Sequence, residues 1–402
     1  MNPAKKFHAA CYTIEGLNSF AVVIYFNYLY FFFRDTFGFT DRQNLELAAF
    51  LGVTYIFASL WAGKIAKRIG YFNALRIGFA VMAAGLLVGS QLHSITGAIA
   101  AACVVNFGMC FTWPVLEALV SEGADAARSV GIYNITWAIT NATGAFLGGT
   151  LIEKLGYRSI FFVPLGFMLL QFVMIFWLEK MYPQNSGTGV QPVSSQPTNH
   201  SKQTHRQDAC ATTAATVKTF QRLSWLANPF AYIAINTLIA MLPGIAHKFN
   251  LSPMFAGIAC SLWCFVRVGA FVVLWRWSGW HYQFRWLVTA FVLMSISFAA
   301  ILVVPSLAVM LLAQIFFGAT VGLMYYSSLF YAMDAHDSSS EDGGIHEAAI
   351  GIGNCLGPAV GAAALWLAPQ NASGGAWAVT GLLTLGLGGL VWLRNAGGAT
   401  TK

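Results

Sequence analysis

Charge is what this sequence has least of. Asp, Glu, Lys and Arg together make up 9% of 402 residues, and only 15 are acids. A soluble domain is about 25% charged, so a water-facing globular surface is excluded. The phosphate-cradling pattern G-x-x-x-x-G-K-[ST] is missing, which argues against ATP as an energy source. H-E-x-x-H and G-x-S-x-G are missing too, and nothing else supports an enzyme. His247, His281 and His346 stand far apart, so neither a metal nor a cofactor is expected. The seven cysteines fall mostly inside apolar runs. Cys260 and Cys264 share a helix face, but no His or acid stands beside them, and packing is the simpler reading. No cleavable leader is evident, because Lys5 and Lys6 precede an apolar run long enough to stay in a membrane.

What the sequence has instead is apolar length. Hydrophobic residues make up 57% of the chain and recur in runs long enough to cross a bilayer. The predicted spans are Gly16 to Phe33, Leu45 to Ala62, a third ending at Gln91, Ser94 to Val120, a fifth ending at Ile152, and Ile160 to Leu178. After a stretch rich in Ser, Thr, Gln, Pro and Asn come six more: 225–246, 252–275, 286–304, 306–332, 347–368 and 375–393. The expected organisation is therefore an N-terminal six-helix unit (1–180), a flexible linker (181–222) that cannot bury enough surface to order itself, and a C-terminal six-helix unit (223–402). An even number of spans puts both termini on one side. Of the 22 Lys and Arg, sixteen then fall on the side of the termini and five on the other, with Arg267 alone inside a span. The positive-inside rule makes the terminal side cytoplasmic. The net charge of +7 is thus a topology signal and gives no support to nucleic-acid binding. The expected setting is a bacterial inner membrane, the expected partners are the lipid bilayer and a small-molecule substrate, and the expected state is monomeric.

The two halves echo each other. GIYNITWAITNATGAFLG (Gly131 to Gly148) aligns without gaps on GIHEAAIGIGNCLGPAVG (Gly344 to Gly361). Gly131, Ile132, Ile139, Asn141, Gly144 and Gly148 fall on Gly344, Ile345, Ile352, Asn354, Gly357 and Gly361. Small residues every four positions weaken a helix in water but let helices approach closely in lipid. Internal repeats of this kind mark secondary transporters.

Between the second and third spans, GKIAKRIGYFNALR (Gly63 to Arg76) resembles motif A of the major facilitator superfamily, roughly G-x-L-A-D-R-x-G-R-R. Gly63, Ala66, Arg68 and Gly70 match, Ile65 is a conservative match, and Lys67 stands where that motif has Asp. The glycine-rich fifth span and the junction LGYRSIFF (Leu155 to Phe162) resemble the same family, and the six-plus-six layout covers the whole chain. The resemblance implies an all-α integral membrane fold of twelve transmembrane helices in two pseudo-symmetric six-helix bundles that rock about a central site. It also implies that spans 1, 4, 7 and 10 line the cavity, that 2, 5, 8 and 11 pair the bundles, and that the repeat's small residues pack between bundles. Because Lys67 replaces the motif's acid, an inter-bundle latch of opposite charges is expected, with Gly63, Lys67, Arg68 and Gly70 facing Asp342 and Glu347. Solvated loop charges are the simpler alternative, at about 0–1 kcal/mol per pair.

Polar groups at membrane depth are costly and mark candidate sites. Arg267 is read as the counter-ion of an anionic substrate or a coupling carboxylate, against the alternative of a structural pair. Glu117, three residues after Pro114, and Glu347, at the start of a helix, are candidate proton carriers; Glu15 is similar to them. Asn27, Asn106, Asn236 and Gln314 fall on the cavity spans. Tyr25, Tyr28, Trp113, Tyr325 and Tyr326 are candidates for an aromatic lining, with Trp137 on span five. Tyr30 to Phe33 suit an interfacial belt, and Asn134, Asn141 and Asn354 suit bonding between helices. The favoured function is secondary active transport of a small organic solute by alternating access, with proton coupling. Arg267 points to an anionic solute, while the amides and aromatics suit a sugar-like or amphipathic neutral one. A membrane sensor on a transporter fold is the alternative.

Overall fold

The computed structural model describes residues 3–121, 126–182, 214–334 and 340–399, with side chains described within 5–121, 128–182, 216–332 and 350–396. Among the described residues there are fourteen helices and no strand. In lipid a helix satisfies its own backbone, which is why long apolar runs settle on this form. The first unit holds α1 (Pro3–Phe37), α2 (Asp41–Ile69), α3 (Tyr71–Gln91), α4 (Ile95–Met109), α5 (Trp113–Ser121), α6 (Ala126–Leu155) and α7 (Ser159–Met181). The second holds α8 (Ala214–Lys248), α9 (Pro253–Cys260), α10 (Leu262–Arg276), α11 (Phe284–Val303), α12 (Leu307–Asp334), α13 (Ser340–Leu367) and α14 (Gly374–Ala399). The pairs α4/α5 and α9/α10 are single crossings broken in the middle. The result is an integral membrane protein of twelve crossings in two six-helix bundles.

Eleven crossings are long and apolar enough to span a membrane by composition alone. The exception is α6, where Asn134, Thr136, Thr140, Asn141 and Thr143 interrupt the apolar run. Those polar residues mark the crossing that faces the centre of the protein.

Two helices start earlier than the hydrophobic runs suggest. α1 begins at Pro3 rather than near Gly16, because Phe7, Ala10, Cys11 and Ile14 form a buried stripe at helical spacing. α8 begins at Ala214, inside the stretch expected to be linker. Phe220 accounts for this: its ring is buried against Tyr282 and Tyr331, which orders the turn that carries it. Residues 183–213 of the expected linker lie outside the described residues.

The breaks have local causes. In the fourth crossing Pro114 has no N–H to continue the ladder. The chain turns through Cys110–Thr112, where Thr112 Oγ1 donates to the Met109 carbonyl (2.9 Å) and accepts from Asn18 Nδ2 (3.2 Å). In the eighth crossing the break falls at Ser261. Gln314 Nε2 donates to the Ala259 carbonyl there (2.8 Å), so a side chain of α12 caps the interrupted ladder.

Helix alternation places both ends of the chain on one face, here called the terminal face; the opposite one is the far face. At the far face the two bundles are sewn together. Glu153 on α6 accepts from Ser252 Oγ (2.6 Å) and from the Met254 backbone N–H (3.0 Å) at the start of α9. Asp41, paired with Arg34 at 2.6 Å, lies against the backbone of Gly244 on α8. Midway, α2 and α13 come into backbone contact: a Cβ on Gly52 would stand 2.6 Å from the Cys355 nitrogen.

The repeat's glycines divide between contacts within a bundle and the expected contacts between bundles. Gly144 packs α6 onto Val23 and Phe20 of α1, and Gly357 packs α13 onto Ile233 and Thr237 of α8. Both contacts lie within a bundle rather than between bundles. The reason is geometric: α1 and α8 each lean across the repeat helix of their own half, so the close approach falls there. Gly351, which meets Tyr55 and Ile56 of α2, and Gly361, which meets Leu45 of α2, do touch the other bundle.

Candidate functional site

A cavity of ≈ 220 Å³ lies between the bundles at mid-depth. It is lined from α1 by Phe26, Asn27 and Tyr30, from α2 by Leu51 and Tyr55, and from α4 and α5 by Asn106, Trp113 and Glu117. From α6 come Tyr133, Asn134, Trp137 and Asn141; from the other half come Tyr232, Asn236, Trp263, Arg267, Tyr325, Leu329, Ile350 and Asn354. Toward the far face the sewn helix ends cover it. Toward the terminal face its lining continues through Tyr133, Glu117 and Leu329. Mixed aromatic and apolar walls carrying a few converging polar groups are typical of a small-molecule site.

Arg267 is the charge at the centre. It is 5% exposed. Its guanidinium lies over the ring of Trp137 at 4.6 Å and over that of Trp263 at 5.0 Å. Such contacts stabilise a cation by about 0.5–2 kcal/mol each. One terminal nitrogen donates to Asn141 Oδ1 at 3.1 Å, while Nε is buried with no hydrogen-bond partner. None of the ion pairs among the described residues involves Arg267. The rings hold its faces, so its donor edge is what remains for a ligand. A planar, charged donor edge in a low-dielectric site suits a carboxylate. Trp113 Nε1 is a second buried donor; no hydrogen bond closes on it, and the carboxyl of Glu15 lies nearby.

Several cross-bundle links at the cavity converge on α6. Asn141 meets Arg267, Asn134 Oδ1 accepts from the Tyr325 hydroxyl at 2.8 Å, and the Tyr325 ring stacks on Trp137 at 5.3 Å. The repeat's other asparagine, Asn354, accepts from Asn236 Nδ2 at 2.6 Å. The two asparagines aligned by the repeat thus both face the cavity, one in each half.

Among the expected substrate residues, Asn27, Asn106, Trp113, Asn236, Arg267 and Tyr325 line the cavity. Asn106 spends its donors on the Leu51 carbonyl (2.9 Å) and Thr54 (2.8 Å) of α2. Four expected residues turn away from it. Tyr25 packs on Phe26 and Phe161. Tyr28 donates to the Ala145 carbonyl at 2.5 Å, between α1 and α6. Gln314 caps the break in the eighth crossing, and Tyr326 packs on Phe271 and Trp280. Right helix and wrong face is the common cause, since face depends on neighbours a lone span does not reveal. Tyr30, expected in an interfacial belt, instead lines the cavity. Tyr55, Tyr133 and Tyr232 line it as well, and no motif singled them out.

Of the expected proton carriers, Glu117 is half-buried on the cavity wall. Glu347 lies outside the described side chains, as does Asp342, so the acidic half of the expected latch is not described. Of its basic half, Lys67 and Arg68 are exposed, Gly63 would meet no described atom with an added Cβ, and Gly70 takes φ +85° at the turn into α3. Among the described residues no group of His, Cys, Asp and Glu is arranged to hold a metal.

Comparison with known proteins gives a family. Residues 9–358 match the model of the Major Facilitator Superfamily. A 68-residue stretch is 35% identical to the multidrug resistance protein Stp of Mycobacterium tuberculosis, covering 16% of this chain and 12% of that protein. Among solved structures, a variant of the nucleoside transporter NupG superposes with a TM-score of 0.68 at 14% identity, covering 98% of this chain and all of NupG. The human organic anion transporter MFSD10 superposes with a TM-score of 0.65 at 15% identity, covering 97% of this chain and 100% of its own. A chain from a study of proton dependent oligopeptide transporters gives 0.68 at 14%, covering 98% and 97%. At these identities the structural likeness establishes the fold.

Proposed function

The chain belongs to the major facilitator superfamily, and from that premise we propose that it is a secondary active transporter of a small organic anion. The solute binds between the bundles and moves together with a proton. Its route is alternating access: α1–α7 and α8–α14 rock about the cavity, which opens to one face at a time. In this reading the membrane is a bacterial inner membrane, and the excess of Lys and Arg on the side of the termini supports a cytoplasmic position for them.

One observation carries the anionic reading: a buried guanidinium facing the cavity, held by two tryptophans and an amide, with no carboxylate paired to it among the described residues. An uncompensated charge at membrane depth is expensive, and a solute carboxylate would compensate it. The aromatic walls and small volume favour a compact body. The name of MFSD10, an organic anion transporter, accords with this; that of NupG, a nucleoside transporter, names another solute class on a like fold.

The test is uptake of mandelate, a small aromatic carboxylate, into vesicles carrying the purified chain, with protein-free vesicles as background. The expected result is protein-dependent uptake that an inwardly directed proton gradient raises, and no such uptake of the neutral analogue mandelamide. Equal handling of acid and amide would contradict the anionic reading. Binding without uptake would favour a sensor.

A further inference from the structure

The carboxyl group of Glu15 has no part in the cavity as described so far. It lies on α1 toward the terminal face, fully buried, and none of the ion pairs among the described residues involves it. A permanently charged carboxylate enclosed there would be costly. Its hydrogen bonds suggest how the cost is avoided.

Glu15 Oε1 accepts from Ser19 Oγ at 2.5 Å, and Oε2 accepts from the Tyr133 hydroxyl at 2.8 Å. The same hydroxyl stands 3.3 Å from the Trp113 carbonyl. A phenol has one proton to give and lone pairs to receive one, so the group has two complete arrangements. With Glu15 ionised, Ser19 and Tyr133 both donate to it. With Glu15 protonated, its O–H donates to the Tyr133 oxygen, and the Tyr133 proton turns to the Trp113 carbonyl. No buried polar atom of the set loses its partner in either arrangement, so neither incurs the penalty of an unmade bond.

The titratable and charged groups that face Glu15 are Tyr133 from α6 and Glu117 from α5, whose like charge reaches it. Tyr12, His8 and Arg128 lie nearer the terminal face. Tyr133 is at the same time part of the cavity wall. One turn along α6 stands Trp137, over Arg267, and one turn further Asn141, bonded to it. The proton site and the anion site thus share one face of one helix.

We propose that Glu15 is the residue that carries the coupled proton, and that Tyr133 is its connection to the cavity. Glu117 is open to the cavity and exchanges with its water; Glu15 is enclosed and exchanges only through the phenol. The assignment rests on the coupled-transport reading above, but its first test needs no solute.

The reconstituted full chain is examined by pH-difference infrared spectroscopy, which reads the C=O band of a protonated carboxyl. A component of that band distinct in frequency from that of the solvent-exposed carboxyls is expected in the wild-type chain, in Glu15→Asp and in Glu117→Gln, and is expected to vanish in Glu15→Gln, a neutral mimic of the protonated state. Survival of that component in Glu15→Gln, or its loss in Glu117→Gln, overturns the assignment, and so does its absence from the wild type at every pH where the chain stays folded. A second test uses mandelate. One coupled proton and a gradient of one pH unit give about tenfold accumulation. Glu15→Gln is expected to lose that accumulation while keeping mandelate exchange at zero gradient. Accumulation retained in Glu15→Gln overturns the assignment. If mandelate is not moved at all, the transport reading fails while the infrared result still decides the residue.

Discussion

Asn141 on α6 accepts a hydrogen bond from the guanidinium of Arg267 on α10 at 3.1 Å, joining the two bundles at the wall of the cavity. The amide holds the cation in place without neutralising it. Asparagine and aspartate have nearly the same shape here but opposite consequences. Asn141→Asp puts a carboxylate beside the guanidinium and occupies the charge proposed to receive the solute. It is expected to weaken mandelate binding by about ten- to a hundredfold, the equivalent of 1.5–3 kcal/mol for a hydrogen bond to a charged group. Asn141→Ala keeps the charge available and is expected to cost less. Titrations of mandelate against each purified variant check the order. If Asn141→Asp binds as well as the wild type, Arg267 is not the anion's partner.

The backbone contact of α2 and α13 sets a second expectation. An added side chain at Gly52 would strike the Cys355 backbone, whereas one at Gly63 meets no described atom. Gly52→Val is therefore expected to wedge the bundles apart and Gly63→Val to leave their spacing unchanged. Spin labels at positions 46 and 367, in a cysteine-free background, report the distance by double electron–electron resonance. A distribution in Gly52→Val that overlays the parent would show that the contact does not constrain the bundles.

The far-face link through Glu153 depends on pH. Glu153 lies beyond the last buried turn of α6 and is exposed. The Ser252 hydroxyl, and then the Met254 N–H, hold its carboxyl below its ordinary value of 4.5. When the bundles part at the far face these donors are lost and the ordinary value returns. A carboxylate depressed in the closed state stabilises that state above the ordinary value, and the stabilisation is lost as pH falls through the depressed one. Acidification through that window is expected to shift labels at positions 155 and 255 toward longer distances, and Glu153→Gln is expected to abolish the pH response. A response that persists in Glu153→Gln would assign it to another group.

Much of the architecture is legible in the residues because lipid leaves the backbone few choices. Apolar runs must be helices, and a lone arginine inside one must have a reason. Arg267 is visible for that cause, while Asn141 and Asn354, aligned by the repeat and read as bonding between helices, also line the cavity. Which face a helix turns inward is harder to read. Tyr25 and Tyr28 sit on the right crossing but pack inside their bundle, while Tyr30 passes for an interfacial residue and lines the cavity. Long-range partners are harder still. Glu15 and Tyr133 are separated by 118 residues, and neither residue's local pattern reveals the other. Helix ends fail for a different reason: α1 and α8 extend past their apolar cores on stripes of a few buried rings and methyls, too sparse to register as spans.

Arg267 is proposed to receive the negative charge of the solute. Trp137 and Trp263 flank the guanidinium, so the fluorescence of the purified chain reports on occupancy at that position. The most direct measurement titrates matched acid and amide pairs, mandelate with mandelamide and lactate with lactamide, against the wild type and Arg267→Gln. At least one acid is expected to bind the wild type about tenfold or more tightly than its amide, a difference of about 1.4 kcal/mol, and Arg267→Gln is expected to remove the difference. Amides that bind as well as their acids, or a preference for the acid that survives in Arg267→Gln, would contradict it.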